Sequence, residues 1–333
     1  MSRLGASIRD VARETGLSTA TISRVVNGGT RVSEETRKRV LDACARLDYL
    51  PNPAARALST RRSKVVAAII PTIEHSVFAK FIAAIERTLG LRGYSLVLAI
   101  SNSDEAEELA AARKLLGMGA DAFILSGQTH SGALLNMLAK RQVPYAHTSV
   151  WDPDSTCPTV GYDNAGLAKE AVKHLHSHGH RNVAIVHGPL VESDRTQARC
   201  DGARSLHGLF DTLDFFETPL SVAGGKACVG RTLADGGGYS AYLCFSDVLA
   251  LGAYFACADA GKRIPQDVSV MGFDNLDWAA EVVPPLTTID LPAFGMGEAV
   301  GAQIVECLET NAPLQSQLLP ARIIQRGSVA RLT

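Results

Sequence analysis

Apolar residues recur at helical spacing in three short segments near the start of the chain. Ser7-Ile8-Arg9-Asp10 has the S-x-x-D form of a helix start, with a capping hydroxyl and a carboxylate that reaches back. Ile8, Val11 and Ala12 then form one apolar stripe. Thr15-Gly16-Leu17 ends that helix and turns the chain. Ser18 caps a second helix over 19–27, with Ile22, Val25 and Val26 on its buried side, and Asn27-Gly28-Gly29 stops it. Ser33-Glu34-Glu35 starts a third, with Val40, Leu41, Cys44 and Leu47 on one face. Two short helices joined by a tight Gly-containing turn, with a third behind, form the helix-turn-helix pattern.

From Val65 onward the period changes. Short β-rich runs alternate with helical stripes: strand 65–70, helix 78–91, strand 94–100, helix 104–116, strand 122–125, helix 134–140 and strand 143–147. The series restarts after Asp163 with helix 165–176, strand 183–187 and a helix over 195–209. A helix over 225–234, strand 242–245, helix 248–259 and strand 268–271 follow. Such alternation predicts parallel sheets covered by helices on both faces. About 270 residues of it exceeds one ordinary domain, so two similar lobes are expected, with a ligand cleft beyond the C-terminal ends of the strands. Between head and body, Pro51-Asn52-Pro53 breaks the third helix. A short Ala-rich helical stretch, 54–58, and a basic linker, 59–64, follow. A helix this short forms only against a partner.

Charge sharpens the reading of the head. The net charge of the 333 residues is -1, yet residues 1–64 carry 13 Lys and Arg against 6 Asp and Glu. A basic head on an acidic body suits a polyanionic partner. The outer face of the second helix bears small polar side chains at Thr19, Ala20, Ser23, Arg24 and Asn27, which let a recognition helix approach base edges. Arg24 suits a bidentate contact to guanine and Asn27 a base or phosphate contact, while Ser18, Thr21 and Ser33 sit where hydroxyls and helix N-termini hold phosphates. Leu58, an apolar residue beside cations, has the character of a minor-groove wedge. The bland alternatives are a helical protein-interaction module with solvated cations and a linker whose Leu58 packs on the body.

The runs Ile8-Arg9-Asp10-Val11-Ala12, Leu17 through Asn27, Val32 through Arg37 and Tyr49-Leu50-Pro51-Asn52 closely resemble the head of the lactose-repressor (LacI/GalR) family of transcription regulators. The resemblance continues through the body. It includes Ile70-Pro71-Thr72 with Phe78, Gly179-His180-Arg181, Ala198-Arg199-Cys200-Asp201-Gly202, Ser246 through Gly252, Ile264 through Asp274 and Pro284 through Ile289, all in family order. It implies a helix-turn-helix domain over 1–50, a hinge over 51–64 and an effector-binding and dimerisation body over 65–333. The body is expected as a periplasmic-binding-protein-like pair of lobes crossed three times by the chain, one of about 65–161 with 291–320, the other of about 162–290 with 321–333. It further implies that Thr19 and Ala20 set operator choice and that Leu58 pries the operator centre. With Ser7, Ile8, Arg31 and Asn52, the residues above make up the expected DNA-contacting set.

By the same resemblance Arg199 and Asp274 line the cleft, and the chemistry agrees. A guanidinium and a carboxylate can hold vicinal hydroxyls or a ligand carboxylate through paired hydrogen bonds. The alternative is a structural ion pair. Thr72, Phe78, His147, Ser149, Trp151, Tyr162 and Ser246 are expected to face the same cleft, an aromatic ring suiting a sugar. Ser246 departs from the family pattern, which has Asn there. The expected function is a ligand-responsive repressor that binds a near-palindromic operator as a homodimer and senses a small carbohydrate or sugar acid. A sugar-binding module without regulatory output is the alternative.

Other chemistry finds little support. His174, His176, His178 and His180 resemble a metal cluster, but no carboxylate or Cys lies near them in sequence, and a solvated helix end accounts for them. Gly238-Tyr239-Ser240-Ala241-Tyr242 lacks the closing Gly of a nucleophile elbow, and Gly295-Met296-Gly297 does not complete a dinucleotide fingerprint. No enzyme activity, cofactor or metal is therefore expected. Seven Cys without a Cys-x-x-Cys pair point to reduced thiols. The start lacks a signal-peptide core, and a run such as Val65–Ile70 is far short of the roughly 18–20 residues that span a bilayer. A cytoplasmic protein without membrane contact is expected.

Overall fold

The computed structural model describes residues 6–27, 32–50, 62–73 and 76–332. The expectations for Arg31, Asn52 and Leu58, and for a helix over 54–58, lie outside these residues. The chain forms two compact units, Met1–Lys64 and Val65–Thr333.

The first unit holds α1 (Ile8–Thr15), α2 (Thr19–Val26) and α3 (Glu34–Arg46). Asp10 reaches back to accept the Ser7 amide at 2.9 Å and the Ser7 hydroxyl at 2.7 Å. Gly16 ends α1 at φ 64°, a left-handed conformation that glycine adopts without strain. Ser18 and Ser33 cap α2 and α3 by accepting the amides of Thr21 and Thr36. The three stripes meet in a small core of Val11, Ile22, Val25, Val40 and Ala43. Leu41 departs from expectation: it is half exposed, because the buried face of α3 runs through Val40 and Ala43, one position away. Arg39 donates to the Thr15 carbonyl and Arg46 pairs with Glu14 at 2.7 Å, tying α3 to the end of α1.

The second unit begins with β1 (Val65–Ile70), α4 (Ser76–Gly90), β2 (Ser95–Ile100), α5 (Glu105–Gly117), β3 (Ala122–Ser126), α6 (Gly132–Lys140), β4 (Tyr145–Thr148) and β5 (Thr159–Gly161). It then runs through α7 (Asn164–Ser177), β6 (Asn182–His187), α8 (Asp194–Arg204), β7 (Thr212–Glu217), α9 (Val222–Ala234), β8 (Ala241–Cys244), α10 (Asp247–Asp259) and β9 (Ser269–Met271). The chain closes with β10 (Thr288–Asp290), α11 (Ala293–Thr310), β11 (Gln317–Leu318) and β12 (Arg322–Ile324). Two parallel sheets result, ordered β11-β5-β4-β3-β1-β2 and β7-β6-β8-β9, while β10 and β12 pair antiparallel. Each sheet is the floor of one lobe. The chain passes between lobes after β5, after β10 and after β11, and the Ser328 carbonyl accepts from Val270 to fix the tail on the second lobe.

Several elements differ from the pattern reading. The helix expected over 195–209 stops at Arg204, and a 3-10 turn, His207–Leu209, replaces its last part. Strand β7 was not expected. It is an edge strand whose Asp214 and Glu217 face solvent, so its alternation of apolar and polar residues is broken by charge. Strands β5, β10, β11 and β12 have two or three residues each, too few to show any period.

Helix pairs on the lobes meet backbone to backbone at glycines. A Cβ on Gly252 would lie 2.4 Å from the Val222 carbonyl oxygen and 2.5 Å from the Lys226 nitrogen, so α9 and α10 cannot approach as they do with any larger residue. At Gly230, on α9, a Cβ would have nothing within 4 Å. We expect Gly252→Ala to lower stability by about 1–3 kcal/mol through overpacking. Gly230→Ala should raise it by about 0.5–1 kcal/mol through helix propensity. Urea unfolding midpoints of the two variants should therefore move in opposite directions.

Candidate functional site

In the first unit, the tight turn and the Ser18 cap present one face of α2. Ser18, Thr19, Ala20, Arg24 and Asn27 are exposed, Thr21 and Ser23 half-buried. The Ser18 and Thr21 hydroxyls lie 3.0 Å apart, and Asn27 donates to the Ser23 hydroxyl at 3.1 Å. Ser7 and Ser33 are exposed at the starts of α1 and α3, and Ile8 is half-buried against the core. The face thus carries a cation, an amide and hydroxyls on a helix whose apolar side is wholly committed to the core. These groups match the donors and acceptors that read base edges and phosphates.

In the second unit, a cavity of about 350 Å³ lies between the lobes. Thr72, Phe78, Ser149, Tyr162, Arg199, Ser246 and Asp274 all line it. Trp151 does not. Beside it, Val150 packs closely on Gly161, and the Asp152 amide donates to the Thr159 hydroxyl at 3.3 Å. His147 does not line the cavity either. It lies on β4 and is 2% exposed, neither ring nitrogen has a hydrogen-bond partner, and its ring lies 4.7 Å from that of His130. Burial first, and then His130, push its pKa down to about 4.

Arg199 is buried to 7% exposure on α8. Its Nε donates to the Asn164 side-chain oxygen at 3.0 Å, one Nη donates to the Phe245 carbonyl at 2.8 Å, and the guanidinium lies 4.0 Å over the Phe273 ring. Asn164 in turn donates to the Ser149 carbonyl at 2.9 Å, so one amide side chain links the first lobe to the buried cation of the second. Burial lowers the Arg199 pKa, yet guanidinium remains charged at any ordinary pH. Asp274 has φ 137°, an unusual value for a residue with a side chain. Ser246 donates to its carboxylate at 2.8 Å while also capping α10 by accepting from Val248. Among the described residues no ion pair joins Arg199 to Asp274. Both groups therefore keep hydrogen-bonding capacity toward the cavity, a guanidinium having five donors and a carboxylate two oxygens.

Asp274 is pushed up to about 7, chiefly by burial and then by Asp247, with Arg199 opposing. Asp247 is itself raised by burial and is held by Thr288 at 2.6 Å and the Leu276 amide at 2.8 Å.

The cleft also has closing contacts that sequence reasoning missed. Asp194, at the start of α8, accepts the amides of Gln128 at 2.5 Å and Thr129 at 2.9 Å from the first lobe and pairs with Arg195 at 3.1 Å. Burial works against its charge, but Arg195 and the amides outweigh it and hold the carboxyl below its usual range. Ser103 donates to the Glu192 carbonyl at 2.9 Å, and Lys80 pairs with Asp277 at 2.6 Å. The only signal for Asp194 was the Ser193-Asp194 helix start, which ordinarily means a cap and nothing more.

The other histidines fit local roles. His178 Nδ1 bonds the His174 carbonyl at 2.8 Å, and His180 Nδ1 the Ser240 hydroxyl at 2.9 Å. Among the described residues no group of three or more His, Cys, Asp or Glu is placed to hold a metal ion. No helix among them is long and apolar enough to cross a membrane.

A helix-turn-helix head and a two-lobed α/β body with a cleft define a DNA-binding regulator with a periplasmic-binding-protein-like domain. Known proteins carry the same combination. Residues 7–52 match the family of bacterial regulatory proteins, lacI family, and residues 172–329 match a periplasmic binding protein-like domain. Catabolite control protein A of Priestia megaterium is 30% identical over 331 residues, covering 98% of this chain and 99% of that protein. The lac repressor dimer bound to operator and the anti-inducer ONPF superposes with a TM-score of 0.88 at 26% identity, covering 98% and 99% of the two chains. A LacI family regulator from Enterococcus faecium with bound ribose gives 0.72 at 26% identity, over 81% of this chain and 100% of that one. The chain belongs to the lacI family of bacterial regulatory proteins and is a transcriptional regulator.

The Asp274 carboxyl makes stability depend on pH. The folded protein keeps a proton up to about 7 that the unfolded chain releases near the ordinary 3.8, so stability falls as pH rises between those values. Asp274→Asn removes this contribution. The melting temperature of the variant relative to the native chain should climb from about pH 4 to about pH 7 and stay level above. A difference that does not vary with pH would show that Asp274 is ionised throughout.

Proposed function

We propose that this regulator is a repressor that binds a near-palindromic operator as a homodimer and senses a small carbohydrate or sugar acid in the cleft between its lobes. The observation that carries the effector reading is the buried pair Arg199 and Asp274, both facing the cavity and not engaged with each other. A polyhydroxy ligand satisfies both, its hydroxyls donating to the carboxylate and accepting from the guanidinium. The ribose in the Enterococcus faecium relative supports a sugar. The operator in the lac repressor complex supports DNA as the partner of α2. In this reading Ser7, Ile8, Ser18, Thr19, Ala20, Thr21, Ser23, Arg24, Asn27, Arg31, Ser33 and Asn52 contact the operator, and Leu58 enters its minor groove. Two heads related by a twofold axis then read two half-sites. The body acts as a sensor, not an enzyme, and works in the cytoplasm without cofactor or metal.

Ligand held by both lobes changes their relative orientation and with it operator affinity. Reciprocal linkage requires operator to change ligand affinity by the same factor.

Selection on random duplex DNA at fixed near-physiological salt tests the first half, and an enriched palindrome is expected. Uniform, sequence-blind binding with and without a sugar panel would overturn it. Leu58→Ala should weaken operator binding far more than non-specific binding, whereas equal losses on both DNAs would remove the wedge. Arg199→Ala should abolish the ligand response and leave ligand-free operator binding intact. A full response in the folded variant would take Arg199 out of the site.

A further inference from the structure

Three residues at the end of β3 form the seat on which the second lobe closes. The Gln128 and Thr129 amides donate to Asp194, and Gly127 lies against the same side chain. A Cβ on Gly127 would be 2.9 Å from one Asp194 carboxylate oxygen and closer still to Arg195. Gly127 also has φ 94°, so glycine is demanded twice at this point, by backbone conformation and by the nearness of the opposite lobe. The seat is braced by a residue of its own loop. His130 Nδ1 lies 2.8 Å from a Glu108 carboxylate oxygen on α5, and Nε2 lies 3.3 Å from the Gly127 carbonyl oxygen. The His130 side chain is 1% exposed and that of Glu108 9%.

Both neighbours of this ring are acceptors. A carbonyl never donates, and a carboxylate has no proton to give. A neutral imidazole has one N–H and one lone pair, so it satisfies one side and sets a lone pair against an oxygen on the other. Only the imidazolium donates both ways, and Glu108 then matches its charge in a site closed to water, where such bonds are strong. The other groups around the ring do not take over that role. His147, on β4, lies 4.7 Å away with both nitrogens unpartnered, and burial, then His130, hold it neutral above about pH 4. Tyr145, also on β4, packs on His147 and is pushed up to about 12, chiefly by burial. On α8, Asp194 stays below the usual carboxylate range despite its burial and is paired with Arg195. Asp152 accepts from the Gln128 side chain.

We propose that His130 is a pH-sensitive positioning residue: as an imidazolium it braces the 127–129 seat between Glu108 and the Gly127 carbonyl, so that the seat receives Asp194 and the cleft closes. On losing its proton the ring keeps one bond and turns a lone pair on the other oxygen, and closure weakens. Closure is therefore favoured at low pH and lost as pH rises, the sense required of a proton that the closed form holds more tightly than the open one. The device adds pH as a second input to the cleft. Its effect on operator affinity rests on the reading of the cleft as the effector site, whereas the coupling of His130 to closure does not.

The test is hydrogen exchange of the Gln128 and Thr129 amides in the full-length, ligand-free protein, read as protection relative to the unfolded-chain rate at each pH so that base catalysis cancels. Protection should fall about tenfold or more between about pH 5 and about pH 8, in step with the shift of the His130 ring resonances. Asp194→Ala should abolish protection of both amides at every pH, which ties the readout to closure. His130→Gln cannot gain a charge and should leave protection level with pH. Asp274 also changes charge in this range, at about 7, so the series is repeated in Asp274→Asn, where the fall should persist. Protection that stays level with pH in the native chain would overturn the proposal whether or not His130→Gln folds. So would a fall that survives His130→Gln or vanishes in Asp274→Asn. A chain that shows the fall yet binds no sugar or sugar acid at any pH would count against the effector reading alone.

Discussion

Burying a guanidinium without a carboxylate in contact imposes stringent demands on everything around it. Arg199 meets them with an amide oxygen from Asn164, a main-chain carbonyl from Phe245 and the face of Phe273. Each of those partners must in turn be held. Asn164 is fixed by its second bond, to Ser149 of the first lobe. Phe245 and Phe273 pack edge to face at 5.9 Å at the ends of the second lobe's strands. The position of the cation thus depends on both lobes at once, and any movement of one lobe relative to the other changes the environment of a desolvated charge. In a low-dielectric site that is a large energetic lever.

The same arrangement explains why Asp274 lies close without pairing. Ser246 holds its carboxylate, and the neighbouring Asp247 disfavours a second negative charge. A cation and a carboxyl kept apart at a cavity wall are groups whose best partners are absent from the protein itself. Around them, Asp194 and Ser103 reach across the cleft to main-chain groups of the opposite lobe. Main-chain contacts of this kind are indifferent to side-chain identity and can break and re-form as lobes move. They provide a means by which occupancy of the cavity is felt across the body.

Much of the architecture was legible because it depends on local rules. The caps at Ser18 and Ser33, the turn at Gly16 and the stripes through Val11, Ile22 and Val40 each follow from a few neighbouring residues. The alternation of strands and helices in the body follows likewise from period. The elements that escaped were those without enough length or regularity to carry a period: β5, β10, β11, β12 and the charged edge strand β7. Leu41 was misplaced by a single position, which on a helix is about 100° of rotation and enough to move a side chain from core to surface.

The cavity was legible only in part, for a related reason. Arg199, Asp274, Phe78 and Ser246 stand out by residue type and by resemblance to a family motif, and the local pattern around each already puts it at a strand end or a helix start. Trp151 and His147 have the same attractive chemistry but do not line the cavity, and His147 is instead buried against His130. Asn164, Asp194 and Ser103 gave no signal of a role in the cleft, since each reads as an ordinary cap or loop residue. Which groups meet across the cleft is a property of the folded chain alone. Capping, periodicity and turn chemistry act over a few residues, whereas Asn164 and Ser149, or Asp194 and Gln128, are brought together only when two separately built sheets are closed on each other by three crossings of the chain.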